Sequence, residues 1–387
     1  MMMIDKVKRR EFIFLIAWTI FTCAAMIETT FFRYTSTYNL IESILKIIRL
    51  SSYILCILLI LEQKYKRSTI IKLVLMFGVV LLSIIMSRDT EILWCFLFIA
   101  AAIGIKIEKI TIVSVVTRFM LIGGTILLTK LGFIEDYIFS ADTRARHGLG
   151  FSWATTGPVL FFFFTIVYIY VRKEKLKVIE LIVIELCHIY FYAMTDSRMT
   201  FLMGTATIVF FIIQVCSKRK WCFTERLGYL WCLCPTIIAI IAILLHVLFD
   251  WRNSIWMALD NLLSGRLSLG YNAFQTYGLS LFGQPIEWVG FDINETTQGY
   301  NYVDCSYMRY MLQYGVVFIV LVVVIYTIII YRGIKNKDYY IVWICLIVLM
   351  FCITEPWLFN FTFNPIPVIL LTCMKDKKEE SDGFLYE

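Results

Sequence analysis

Stretches of mostly apolar residues, each close to the thickness of a bilayer, follow one another along the chain. They run over 12–32, 44–61, 70–86, 92–105, 110–128, 157–171, 178–194, 199–216, 229–249, 308–331, 339–354 and 358–374. A helix needs about 20 apolar residues to cross roughly 30 Å of hydrocarbon. Runs this long and this frequent do not fit one water-soluble core, because such cores stop growing at roughly 250–300 residues. The spacing predicts an all-α fold: a polytopic integral membrane helix bundle with about 12 transmembrane helices, forming a single transmembrane domain over 1–387. The run 92–105 is short and also fits a re-entrant or interfacial segment. The first run is too long for a signal-peptide core and has no convincing cleavage site, so it counts as a span.

Composition agrees. Of 387 residues, 60% are hydrophobic and only 17% charged, whereas a soluble domain is about a quarter charged. A soluble enzyme, a DNA-binding protein and a disordered scaffold are excluded, and no nucleic-acid partner is expected. The net charge of +7 lies in short clusters between the runs. With a cytoplasmic N-terminus, the inner clusters start at Lys6, Lys64, Lys106, Arg172, Lys218, Arg332 and Lys375, and hold 23 cations. The outer segments hold 8: Arg33, Arg88, Lys130, Arg144, Arg146, Arg198, Arg252 and Arg266. That asymmetry obeys the positive-inside rule and places both termini in the cytoplasm. Of the inner cations 16 are Lys, whereas Lys130 is the only outer Lys. Lysine suffices to set topology. Arginine adds a planar fork that grips phosphate oxygens in pairs, so the outer face is furnished for a phosphorylated anion.

The 12 cysteines carry less information. Most sit inside apolar runs, Cys373 among them, and none has zinc or disulfide spacing. Cys305 alone is expected to face the exterior.

Two outer segments exceed ordinary connections. One is the loop at 129–156. The other, at 250–307, carries a net charge of −4. Ile255, Leu259, Leu262 and Leu263 recur there at helical spacing, which predicts short amphipathic helices on the outer surface. Gly283-Gln284-Pro285 ends them. The tripeptide Asn294-Glu295-Thr296 fits a glycosylation acceptor and reads as coincidence. The chain has no internal repeat, which counts against transporters built from inverted halves.

Five places carry candidate chemistry. Arg144-Ala145-Arg146-His147 can hold a diphosphate and handle a proton, or be a solvated loop. Thr195-Asp196-Ser197-Arg198 forms a tight turn. Asp196 or Ser197 reads as an N-cap, but Arg198 is disfavoured at a positive helix start unless an anion sits there. Ser264-Gly265-Arg266 pairs a helix-breaking glycine with a cation. Asp304-Cys305-Ser306-Tyr307 precedes a span, with Arg309 a turn inside and able to snorkel outward. Asp304 is a base, a sugar-hydroxyl acceptor or an N-cap, and Tyr307 and Arg309 join the substrate-binding candidates. Lastly, Arg118 is central in its run and needs a partner. Glu28 and Glu185 are the available acids, and a structural Arg118–Glu185 pair is expected. Glu185 and His188 share a helix face, but one such pair is no metal site. His246, near a run's outer end, reads as a packed residue.

Leu263-Ser264-Gly265-Arg266, Tyr277-Gly278-Leu279-Ser280-Leu281-Phe282-Gly283-Gln284, Asp304-Cys305-Ser306-Tyr307 and Tyr314-Gly315 together resemble the polysaccharide repeat-unit polymerases, the Wzy family, of bacterial capsule, exopolysaccharide and O-antigen systems. Arg146-His147-Gly148-Leu149-Gly150-Phe151 and Ser197-Arg198 are similar to them too. The resemblance covers roughly 140–320. Cys305 departs from it, standing where Asn is frequent. The resemblance implies transfer of a growing glycan from undecaprenyl diphosphate onto the next lipid-linked repeat unit. The setting is the outer leaflet of the bacterial cytoplasmic membrane. It implies no cofactor, no nucleotide sugar and no metal, with flippase and chain-length-regulator proteins as candidate partners. That chemistry needs a cationic cradle, for which Arg144, Arg146, Arg198 and Arg266 are candidates, and a base, His147 or Asp304. Single displacement with inversion is the expected course. The rivals are a ligase-type glycan transferase and a flippase for the same lipid. A flippase should line a central cavity with cations, and only Arg118 is central.

Overall fold

The computed structural model describes residues 2–34, 38–141, 144–290 and 299–372. Asn294-Glu295-Thr296, Cys373 and the basic cluster Lys375, Lys377 and Lys378 lie outside the described residues, as do the side chains of Lys6 and Arg144.

The chain is 74% helical. In order come α1 (Met2–Ile27), α2 (Tyr38–Glu62), α3 (Arg67–Ser87), α4 (Glu91–Ala101) and α5 (Ile107–Lys130). An antiparallel ribbon follows, β1 (Ile138–Ala141) and β2 (Arg144–His147), with Phe139 opposite Arg146 and Ile138 opposite His147. Next are α6 (Thr156–Arg172), α7 (Val178–Thr195), α8 (Arg198–Cys216), α9 (Cys222–Leu227) and α10 (Cys234–Val247). The loop at 250–307 holds α11 (Ser254–Leu262) and α12 (Arg266–Tyr277), in the region where amphipathic helices are expected. The last helices are α13 (Ser306–Tyr314), α14 (Val316–Lys335) and α15 (Tyr339–Phe351).

Sequence neighbours pack as pairs, α1 on α2, α5 on α6, α7 on α8 and α14 on α15. The apolar residues do not all turn inward. Ile70, Ile71, Val74, Leu75 and Ile85 of α3 are exposed, as are many residues of α2 and α7. In water such a surface would aggregate; in lipid it is the solvated face. α6 is the enclosed helix, 72% buried along its apolar window against 17% for α3. The molecule is a polytopic membrane protein.

Among the described residues, nine helices are long and apolar enough to cross a membrane. Three of the twelve expected runs take other forms. The run 92–105 becomes the 11-residue α4, and 339–354 becomes the 13-residue α15. At 1.5 Å per residue such helices cover only about 16–20 Å. The run 358–374 is no α-helix where described. It is an irregular, turn-rich strand of backbone without β-pairing, ending in a short 3-10 helix at Ile366–Leu371. Pro356, Pro365 and Pro367 interrupt a helical ladder there.

An irregular backbone at that depth must find partners within the protein. It does. The Tyr310 and Tyr326 hydroxyls donate to the carbonyls of Pro356 (3.0 Å) and Leu358 (2.9 Å). Asn364 Nδ2 donates to Leu358 O (2.8 Å). Arg118 Nη2 reaches the carbonyls of Phe361 (3.2 Å), Thr362 (3.2 Å) and Phe363 (3.3 Å). The expected Arg118–Glu185 pair is therefore absent. Glu185 instead accepts from Thr205 (2.6 Å), and Glu28 pairs with Arg49 (3.0 Å). Three carbonyl dipoles take the place of a carboxylate.

The expected span 308–331 is broken at Gly315, which adopts φ 95° between α13 and α14. A Cβ on Gly315 would stand 2.4 Å from Leu281 O, and one on Gly283 would stand 2.3 Å from Gln313 O. With no side chains there, two strands of backbone clasp. Val316 N donates to Ser280 O (3.0 Å), Val317 N to Leu281 O (3.1 Å) and Gln284 N to Gln313 O (3.0 Å). The clasp moors the long loop to the bundle.

Candidate functional site

One end of the bundle is basic and self-paired. Arg172 meets Glu180 (2.6 Å), Lys173 meets Asp338 (2.7 Å), and Arg9 meets Glu62. The opposite end holds a cavity of about 440 Å³, within the size range of small-molecule sites. The two walls of this cavity differ in charge.

The first wall comes from β2 and from the starts of α6 and α8. Arg146 Nε donates to Thr195 O (2.8 Å), and its guanidinium lies over the Trp153 ring (5.8 Å). Arg198 is the first residue of α8, with its side chain 55% exposed and Nε 3.3 Å from Asp196 Oδ1. Ser197 stands at the cap position but makes no side-chain cap, and its hydroxyl accepts from Thr195 Oγ1 instead (2.9 Å). Asp196 ends α7 in the left-handed region at φ 47°. The expected cap at Ser197 does not form. Thr155 does not cap α6 either. Two helix N-termini without side-chain caps, each a partial positive charge, thus open beside two arginines, which favours an anion there.

The second wall comes from α12, the segment before α13, and the irregular strand. Left-handed Ser264 (φ 59°) and Gly265 (φ 79°) turn the chain between α11 and α12. Asp260 Oδ1 accepts from Leu267 N (2.9 Å) and Ser268 N (3.0 Å), capping α12 and leaving Arg266 at its first position. Arg266 Nε donates to Asp304 Oδ2 (3.0 Å), and Nη2 donates to Glu355 Oε1 (3.1 Å). One guanidinium thus holds two carboxyls. With both acids ionised this trio carries −1, so Arg266 is no free cation for a diphosphate. Burial, the largest influence, pushes the Glu355 carboxyl up to about 7; Arg266 opposes and Asp304 adds. Burial likewise raises the Asp304 carboxyl, with Arg266 and Arg309 opposing. Tyr300, Tyr302, Trp153 and Trp357 also line the cavity. Aromatic faces beside polar groups suit sugar rings, which are apolar on their faces and polar at their edges.

The structure thus brings Arg146, Arg198, Arg266 and Asp304 to one cavity across a long stretch of sequence. Three other candidates do not line it. His147 follows Arg146 in a strand, where successive side chains point to opposite faces. Its Nδ1 instead lies 2.7 Å from Asp136 Oδ2. Tyr307 is fully buried and donates to Leu349 O (2.8 Å), a structural role. Arg309 does not snorkel outward. It stacks on Tyr302 (4.4 Å) and Trp288 (5.6 Å), behind the cavity lining. Arg144 lies in β2. Cys305, expected outside, is buried, and every described cysteine is free. His246 is buried under Gly270, its Nδ1 2.7 Å from Ala242 O. Among the described residues no three His, Cys, Asp or Glu side chains gather as a metal site.

Glu355 is the lining residue that sequence reasoning missed. Its signal was present: an acid in the short turn between two apolar runs, followed by Pro356 and Trp357. No family model, curated protein or solved structure matches the chain.

Proposed function

We propose that the protein is a glycosyltransferase-type polymerase that joins oligosaccharide repeat units carried on undecaprenyl diphosphate. The observation that carries this reading is the two-walled cavity. A cationic wall of Arg146, Arg198 and two helix N-termini suits a diphosphate that gains charge as it leaves. An acidic wall of Asp304 and Glu355 suits a sugar hydroxyl that must lose a proton. Aromatic rings between them suit the sugars. The positive-inside asymmetry supports an outward-facing position for this end, and the resemblance supports the bacterial cytoplasmic membrane as its setting. A flippase reading gains less support, because Arg118, the deep cation, is fully buried against backbone carbonyls.

The test uses cells lacking the protein. Their lipid-linked sugars are extracted and assigned to a leaflet. Single repeat units on the outer leaflet with no polymer support the polymerase. Units held on the inner leaflet point to a flippase. Long polymer still on its lipid points to a ligase. Either of the last two results overturns the proposal.

A further inference from the structure

Within the polymerase reading, on which this assignment rests, we infer that Glu355 is the group that takes the proton from the attacking sugar hydroxyl. Glu355 is 4% exposed yet lines the cavity. It is built in place. Ser306 Oγ donates to Glu355 O (2.6 Å) and accepts from Leu358 N (3.0 Å). The Tyr310 hydroxyl donates to Pro356 O (3.0 Å) and accepts from Phe359 N (3.2 Å). Two side chains of α13 therefore fix the backbone at the acid and just after it. Trp357 Nε1 donates to Glu355 Oε2 (3.2 Å), and Arg266 takes Oε1. A catalytic group needs such support to hold its geometry.

Asp304 is the weaker choice. Arg266 and Arg309 both stabilise its charge, whereas Arg266 alone among cations stabilises Glu355. Asp304 already gives Arg266 a counter-ion, so packing does not require a second buried acid. Such an acid lowers stability, since an apolar residue of similar size is usually better tolerated than a buried charge. His147 lies outside the cavity lining. The charged and titratable groups near Glu355 on its own wall are Arg266, Asp304, Tyr300, Tyr302 and Cys352. Across the cavity stand Arg146, Asp196 and Arg198.

The step balances without a cofactor. The acceptor hydroxyl oxygen bonds to the anomeric carbon as the bond from that carbon to the diphosphate oxygen breaks. The diphosphate leaves with the bonding pair against Arg198 and Arg146. The hydroxyl proton passes to Glu355 and then to water.

The experiment uses the full chain in lipid nanodiscs, with lipid-linked repeat units extracted from cells lacking the protein. Wild type should make polymer, with kcat rising as pH rises through about 7. Glu355→Gln should lower kcat at least tenfold, and about 100-fold by the usual contribution of a general base, with KM little changed. Its residual rate should lose the acid limb, and Glu355→Asp should keep activity with that limb moved. If Glu355→Gln does not fold, the limb and its displacement in Glu355→Asp decide. A loss below tenfold, a limb that persists in Glu355→Gln, or a flat wild-type profile overturns the assignment and leaves the polymerase reading standing. Wild type that makes no polymer overturns both.

Discussion

At the scale of single residues, the site divides by how much freedom each cation retains. Arg266 is gripped by two acids, whereas Arg198 keeps a half-exposed side chain. The planar fork of Arg198 can meet two phosphate oxygens at once, which an ammonium cannot. Arg198→Lys should therefore lower kcat/KM at least tenfold in the polymer assay. Full activity in that variant would show that charge alone suffices. Glu355 supports a prediction about stability too. Burial pushes its carboxyl up to about 7 in the folded protein, from 4.5 for the free group. A raised acid favours the folded state when protonated, so this contribution is complete below about pH 4.5 and is lost as pH rises through about 7. Glu355→Gln should melt higher than wild type at pH 8, with the gain shrinking toward pH 5. An equal or lower melting temperature at pH 8 would count against the burial argument.

At the scale of elements, glycines and a buried arginine do what helix propensity cannot. Gly315 needs both a positive φ and the absence of a Cβ. Gly315→Ala should cost about 1–3 kcal/mol in backbone strain, plus whatever the displaced clasp loses. Thermal unfolding in detergent measures it. Arg118→Leu removes the donor to three carbonyls and should destabilise the bundle by on the order of 3 kcal/mol. Normal melting with selective loss of polymer would assign Arg118 a direct role instead. These elements also show what was legible. Run length gave the long helices, because lipid-facing and core-facing residues are both apolar over a full span. It could not distinguish a helix from the strand at 352–372, because apolar content says nothing of who supplies the hydrogen bonds. The partner of Arg118 was misread for the same reason. Carboxylates can be listed from a sequence, but carbonyls made available by an irregular strand cannot. Strand alternation at Arg146 and His147 became visible only once the ribbon at 138–147 was.

At the scale of the whole molecule, charge separates the two ends. At one end Arg172 and Lys173 are paired with Glu180 and Asp338, and the cations lining the cavity stand at the other. Much of that separation was legible, since the Arg and Lys bias is a property of whole loops. The pairing of Arg266 with Glu355 was not, because 89 positions separate them. In the proposed reaction the leaving diphosphate sits on the wall of Arg146 and Arg198 and the attacking hydroxyl beside Glu355, on opposite sides of one carbon. The new linkage should then have the anomeric configuration opposite to that of the lipid-linked unit. Nuclear magnetic resonance of the polymer against its precursor reads this directly, and retention would exclude a single displacement.

The strand at 352–372 has a consequence for how the protein comes into being. Its partners Arg118, Tyr310, Tyr326 and Ser306 all precede it in the chain. During synthesis they must already be in the membrane before the strand can settle, and Glu355 travels with it. A ribosome therefore completes the arginine wall well before the acid arrives. Until that last piece settles, the cavity has its Arg146 and Arg198 wall but lacks the carboxyl of Glu355.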